Sequence, residues 1–147
     1  PEREFYISGD AFVKDWIIKV RNDVPDAPVL VTAGGLLHYF EENKVISLLR
    51  MIGQSGNMEV VFDTVNKKGM AMMQKKYMKQ VGHADAQMFF YVDAAKELAA
   101  KIRGNVKVIA EEPYYRYIPK NGLKLSTKVS MAVSDQFKMV KMIHLKL

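Results

Sequence analysis

Cysteine is absent from the 147 residues. That absence excludes thiolate metal centres, CxxC redox chemistry and disulfide staples, and it accords with an expected cytoplasmic location. Long hydrophobic runs are lacking too: none approaches the ~18 residues of a membrane span, so no membrane partner is expected. The opening Pro1-Glu2-Arg3-Glu4 has no signal-peptide core behind it and no initiator Met, which suits a processed or truncated end. Walker, GxSxG and HExxH sequences are all missing. So are internal repeats, low-complexity tracts and linkers.

What remains is globular material. Apolar residues make up 49% of the chain and charged residues 26%, enough for one core and too little length for two domains. Basic residues outnumber acidic ones by 22 to 16, a formal +6. Phosphate binding would use such an excess. The lysines are nonetheless scattered, apart from Lys67, Lys68, Lys75, Lys76 and Lys79, and Tyr77 is the only aromatic among those five. A single-strand binder would interleave more stacking rings. A solvated helix face is the simpler reading, and no nucleic-acid partner is expected.

Apolar runs of strand length alternate with amphipathic stretches, as in an α/β sheet. Strands are expected at Phe5–Asp10, Val29–Ala33, Glu59–Thr64, Val106–Ala110 and Met139–Leu147, the last bonded to its predecessor. Helices are expected at Ala11–Val20, from about Glu41 to Gly53, at Met70–Val81, at Asp93–Ile102 with Asp93 as N-cap, and at Leu125–Phe137. The order is β-α-β-α-β-α-α-β-α-β.

Open α/β sheets place ligands at the carboxyl ends of their strands. Three such ends carry suggestive residues: Asp10, Gly34-Gly35 and Asp63. Either aspartate could accept a hydrogen bond from an adenine amine or a ribose hydroxyl, or could serve as a helix cap or Asx turn. Phe12 and Trp16 follow Asp10 at spacings that would set an aromatic wall beside it. Gly34-Gly35 is not a phosphate loop, because Leu36-Leu37-His38-Tyr39 stands where GxGxxG needs its third glycine. The pair suits close approach of a ligand, or an ordinary turn.

His38, His83 and His144 are too dispersed for a zinc site, and no metal is expected. His38, next to the candidate site, is the histidine to consider for proton transfer; His144, in an edge-like strand, reads as structural. The ten methionines read as core filler. Tyr114-Tyr115-Arg116-Tyr117 is either a substrate-facing lid or a bridge between strands.

The run Tyr6-Ile7-Ser8-Gly9-Asp10-Ala11-Phe12, then Asp15-Trp16, then Pro28-Val29-Leu30-Val31-Thr32-Ala33-Gly34-Gly35-Leu36-Leu37-His38-Tyr39-Phe40 resembles the C-terminal part of a known family. The family is the S-adenosylmethionine-dependent O-methyltransferases of the leucine carboxyl methyltransferase and tetracenomycin-type polyketide class. Val60–Thr64 and Met139–Leu145 continue the match in order and spacing.

The resemblance implies a class I, Rossmann-like sheet, mostly parallel with an antiparallel last strand. It implies an adenine-binding loop at Asp10, Ala11 and Phe12 with Trp16 beside it, and a lining for the methionine portion from Ala33, Gly34 and Gly35. Tyr39 would face the reaction site, with His38 as the nearby base. The implied partner is a small-molecule methyl acceptor offering a carboxylate or hydroxyl oxygen. Two features depart from the family. Gly34 stands where a glutamate is usual, and the N-terminal half with its glycine-rich loop is missing. Residues 1–147 are therefore expected to form one incomplete domain, completed by that half or by homodimerisation, and inactive alone. The alternative is a non-catalytic α/β module that dimerises through its sheet edge.

Overall fold

The computed structural model describes residues 4–80 and 87–147, with 76–80 described by backbone only. Helix α1 spans Asp15–Asp23, β1 Val29–Ala33, a 3-10 turn Leu37–Tyr39, α2 Glu42–Gly53 and β2 Met58–Val65. Then follow α3 (Lys67–Gln80), α4 (Ala95–Ile102), β3 (Lys107–Pro113), α5 (Leu125–Gln136) and β4 (Val140–Lys146). Val81 and His83 lie outside the described residues.

The four strands form one mixed sheet in the order β1-β2-β4-β3. β1 and β2 pair in parallel, Val31 opposite Val60. β4 pairs antiparallel with β2, Phe62 opposite Ile143, and antiparallel with β3 on its other side. Three strands thus point one way, and the last runs against them from an inserted position. The expected bond between the last strand and its predecessor is present. The expected mostly parallel sheet is modified, because β4 separates β2 from β3 and leaves one parallel ladder.

Alternation along the strands decides the packing. Met58, Val60 and Phe62 of β2 and Ile143 and Leu145 of β4 are buried on one face, as period-2 patterning requires. Val45, Leu49 and Ile52 of α2 and Ala95, Leu98 and Ile102 of α4 join them in the same core. These helical positions recur at three- and four-residue spacing, so each helix presents one apolar stripe to the sheet. On the other face Glu59, Val61 and Asp63 stay half-buried, and Leu30 of β1 is exposed. Among the described residues, β1 has β2 as its single ladder neighbour.

Several expectations are corrected here. Residues Phe5–Asp10 form no strand; they pair with no ladder, and Phe5 and Tyr6 are exposed. α1 begins at Asp15 rather than Ala11, because the Asp10 carboxylate accepts the Phe12 N–H at 2.8 Å and the Asp10 carbonyl accepts that of Val13. This Asx-type turn occupies the backbone that would have opened the helix.

Asp93 does not cap α4. Its Oδ1 accepts the Lys67 N–H at the start of α3, at 2.9 Å, and Glu111 Oε2 accepts the Ala95 N–H of α4 at 3.1 Å. Each carboxylate thus serves a helix N-terminus that local spacing does not point to. β4 is not edge-like either, since β2 and β3 flank it. His144 Nε2 lies 2.7 Å from Glu59 Oε2 across that ladder.

Candidate functional site

β1 ends at Ala33 and the chain turns sharply through Gly34 and Gly35. Gly35 has φ of 64°, a left-handed conformation that glycine adopts without a Cβ penalty. The Gly35 N–H donates to Asp63 Oδ1 at 2.6 Å, tying the turn after β1 to the end of β2. The 3-10 turn then carries Leu37 and His38 inward and leaves Tyr39 partly exposed.

Before α1, the Asp10 turn brings the segment around Gly9–Ala11 beside β1. Trp16 Nε1 donates to the Ala11 carbonyl at 2.9 Å, which fixes the indole against that loop. Between loop, α1, β1 and α2 lies a cavity of about 290 Å³. Asp10, Ala11, Trp16, Ala33 and Leu36 contribute to its wall, and Leu49 and Val60 belong to its lining as well. Its volume sits at the lower end of ligand pockets, and its lining is largely apolar with few polar groups.

The sequence-derived residues divide accordingly. Asp10, Ala11, Trp16 and Ala33 share that cavity. Phe12 points elsewhere: its ring packs on Phe40 at 4.5 Å between centroids, and the Lys44 ammonium stands 4.4 Å above it. Gly34 and Gly35 shape the turn without being part of that lining. His38 and Tyr39 are not part of that lining either; their rings are 4.4 Å apart. The His38 carbonyl accepts the N–H groups of Phe89, at 2.8 Å, and Phe90, so the segment before α4 closes over this turn.

Burial pushes the His38 imidazole below its ordinary value, and the charge of Asp63 opposes that only in part. The ring is therefore neutral at pH 7, the state in which it can accept a proton. Among the described residues no three His, Asp or Glu side chains are placed to hold a metal ion. The Tyr114–Tyr117 segment is a turn between β3 and α5. Arg116 there is paired with Glu112 rather than held open toward the cavity.

Residues not singled out from sequence also shape the site. Lys44 sits over both Phe12 and Phe40, an arrangement that joins α2 to the Asp10 turn and has no local sequence signal. Leu36, Leu48, Leu49 and Ile52 wall the cavity; the α2 stripe marks three of them as core without indicating a void.

Neither a protein-family model nor a curated protein matches the chain. Among solved structures it is similar to a DUF574 family protein from Streptomyces avermitilis MA-4680, with a TM-score of 0.62 and 10% sequence identity. The likeness takes in 96% of this chain and 54% of that one, so the chain spans about half of its neighbour's length. At that identity the match establishes a shared α/β fold.

Proposed function

We propose that this chain is the C-terminal part of an S-adenosylmethionine-dependent O-methyltransferase acting on a carboxylate or hydroxyl oxygen of a small molecule. The observation that carries the reading is the cavity at the carboxyl end of β1, walled by Asp10, Ala11, Trp16 and Ala33. The inserted antiparallel β4 supports it, as the methyltransferase sheet expected from the sequence ends in such a strand. The solved neighbour supports the fold.

The cavity suits one end of the cofactor. Trp16 and the aliphatic wall offer a surface for a flat heterocycle, and Asp10 offers an acceptor for an exocyclic amine. When bound, the cofactor supplies an electrophilic methyl group on a sulfonium. Neutral His38 would accept the proton of a hydroxyl acceptor at a ring nitrogen, whereas a carboxylate acceptor needs no base. Gly34 and Gly35 let a ligand approach the backbone closely, and Tyr39 would bound the acceptor side.

Nothing in residues 1–147 offers the glycine-rich loop or the ribose-binding acid of that family. Among the described residues, β1 is a parallel strand with one neighbour and an exposed Leu30, and its other edge is where further strands would complete the sheet. We place the rest of the cofactor site there, on an N-terminal half or a second copy. The isolated chain is then a weak binder and a poor catalyst.

Trp16 is the only tryptophan, so its emission reports the cavity directly. Titration with S-adenosylhomocysteine is expected to change that emission only in the millimolar range, and Asp10→Ala to weaken the response. No change at millimolar ligand would remove the cofactor reading. Saturation at micromolar ligand would instead keep the cofactor and overturn the incompleteness.

A further inference from the structure

We propose that α5, with the loop leading into it, is a docking surface for an anionic phospholipid bilayer. Helix α5 packs against β3 and β4, with Met131 and Ser134 turned inward. Its opposite side carries a row of exposed apolar side chains among small and polar ones. Leu125, Val129, Val133 and Phe137 are 76%, 53%, 42% and 55% exposed, at four-residue intervals, which makes a ridge on the order of 18 Å long at ~1.5 Å per residue.

The charge around this ridge is predominantly basic. Between Tyr114 and Lys138 stand Arg116, Lys120, Lys124, Lys128 and Lys138 against the single acid Asp135. Asp135 Oδ1 accepts the Tyr115 N–H at 3.0 Å, which holds it on the protein side. Arg116 is paired with Glu112. Lys120, Lys124 and Lys128 form no ion pair among the described residues, so their charge is available to a partner.

Three considerations choose the occupant. A second copy is disfavoured, because two such surfaces would bring like charges together. The ridge is also small: its four side chains expose on the order of 400 Å² of apolar area, against the ~800 Å² per partner of a standard interface. A protein would need an acidic groove matched to a convex helix. A bilayer deforms around such a helix, with apolar side chains entering the headgroup boundary and lysine stems reaching back to the phosphates. Lying on a membrane is distinct from crossing one, and no described helix is long and apolar enough to cross.

The test is cosedimentation of the 147-residue chain with vesicles of phosphatidylcholine alone and of phosphatidylcholine with one quarter phosphatidylglycerol. Binding to the mixed vesicles is expected, at least about 10-fold tighter than to the neutral ones, and to fall about 10-fold between roughly 0.1 and 0.5 M salt. The pairs Val129→Ser with Phe137→Ser, and Lys124→Glu with Lys128→Glu, should each weaken it about 10-fold. All four positions are exposed or half-buried, and unchanged circular dichroism and melting would verify the fold. Absence of binding, equal binding to both vesicles, or binding that survives both variant pairs overturns the proposal. So does a lipid-free dimer at low micromolar concentration that Val129→Ser with Phe137→Ser dissociates, since a second copy would then cover the ridge.

Discussion

The Gly35 N–H and the Asp63 carboxylate, 28 positions apart in sequence, meet at 2.6 Å and join the carboxyl ends of two parallel strands. This bond sets the path of the turn that carries His38 and Tyr39. Asp63 is therefore a positioning residue for the site, and its charge also reaches His38. Asp63→Asn should cost about 1 kcal/mol in denaturant unfolding, as the bond is solvent-accessible. It should also lower the His38 pKa further, because a charge that favours the imidazolium is removed. Imidazole proton shifts followed against pH measure the second effect; an upward move would contradict this placement of Asp63.

The glycines make a second prediction by contrast. A Cβ on Gly69 would come within 2.4 Å of the Met139 carbonyl oxygen, a backbone atom that cannot step aside. Gly69→Ala should destabilise the fold by about 1–3 kcal/mol through overpacking. Gly34 has open space and no positive φ, so Gly34→Ala should lie within about 0.5 kcal/mol of the parent. Gly35→Ala, with equal space but a left-handed backbone, should cost about 1–2 kcal/mol. Thermal melts of the three variants rank them; a Gly34→Ala variant less stable than Gly69→Ala would contradict the packing described.

Lys141 is 1% exposed along its side chain, and its ammonium lies 2.6 Å from Glu111 Oε1 and 2.7 Å from the Asp93 carbonyl. Glu111→Gln leaves that charge buried without its counterion and should cost about 3 kcal/mol, the lower end for a broken buried pair, since Glu111 keeps some solvent access. Replacing both partners, Lys141→Met with Glu111→Gln, should recover part of the loss. A double variant less stable than Glu111→Gln alone would show that the ammonium matters more to Asp93 than to Glu111.

Two groups give stability an acid limb. Burial alone would raise the Glu111 carboxyl, but hydrogen bonds from Lys141 and Ala95, together with nearby lysine charge, hold it below the usual carboxylate range. Its contribution is complete above the unfolded value of about 4.3 and is lost as pH falls from there through the lowered folded value. His38 is lowered by desolvation, so its contribution is complete above about 6.5 and declines as pH falls below that toward the folded value. Unfolding free energy should therefore drop in two steps on acidification. His38→Gln should remove the step below pH ~6.5 and leave the one below ~4.3; a parent profile flat from pH 7 to 5 would contradict the buried, neutral imidazole.

Local pattern reveals some parts of this molecule and not others. The Val29–Ala33 run and the α2 stripe could be read directly, because burial on a period of 2 or 3.6 leaves its mark in a single stretch of chain. Phe5–Asp10 has strand composition, yet a strand exists only with a neighbour, and composition does not say whether one is present. Asp93 illustrates the same limit for capping. Its position before α4 matches an N-cap, but the N–H it accepts belongs to Lys67, and that choice depends on how α3 and α4 come together. In the candidate site, Asp10 stands out by its place at an expected strand end, whereas Ala33 is pointed to by the family resemblance alone. The Phe12–Phe40–Lys44 stack could not be picked out, since it joins the turn before α1 to the start of α2.

The position of β4 has a consequence for how the chain acquires its structure. Among the described residues, β4 supplies the only ladder partner of β3 and one of the two ladders of β2. On a ribosome, β3 and α5 would emerge before β4, so β3 would lack its ladder partner until β4 follows. Consolidation of β3 must then wait for β4, and loss of that one strand would unfasten two others at once.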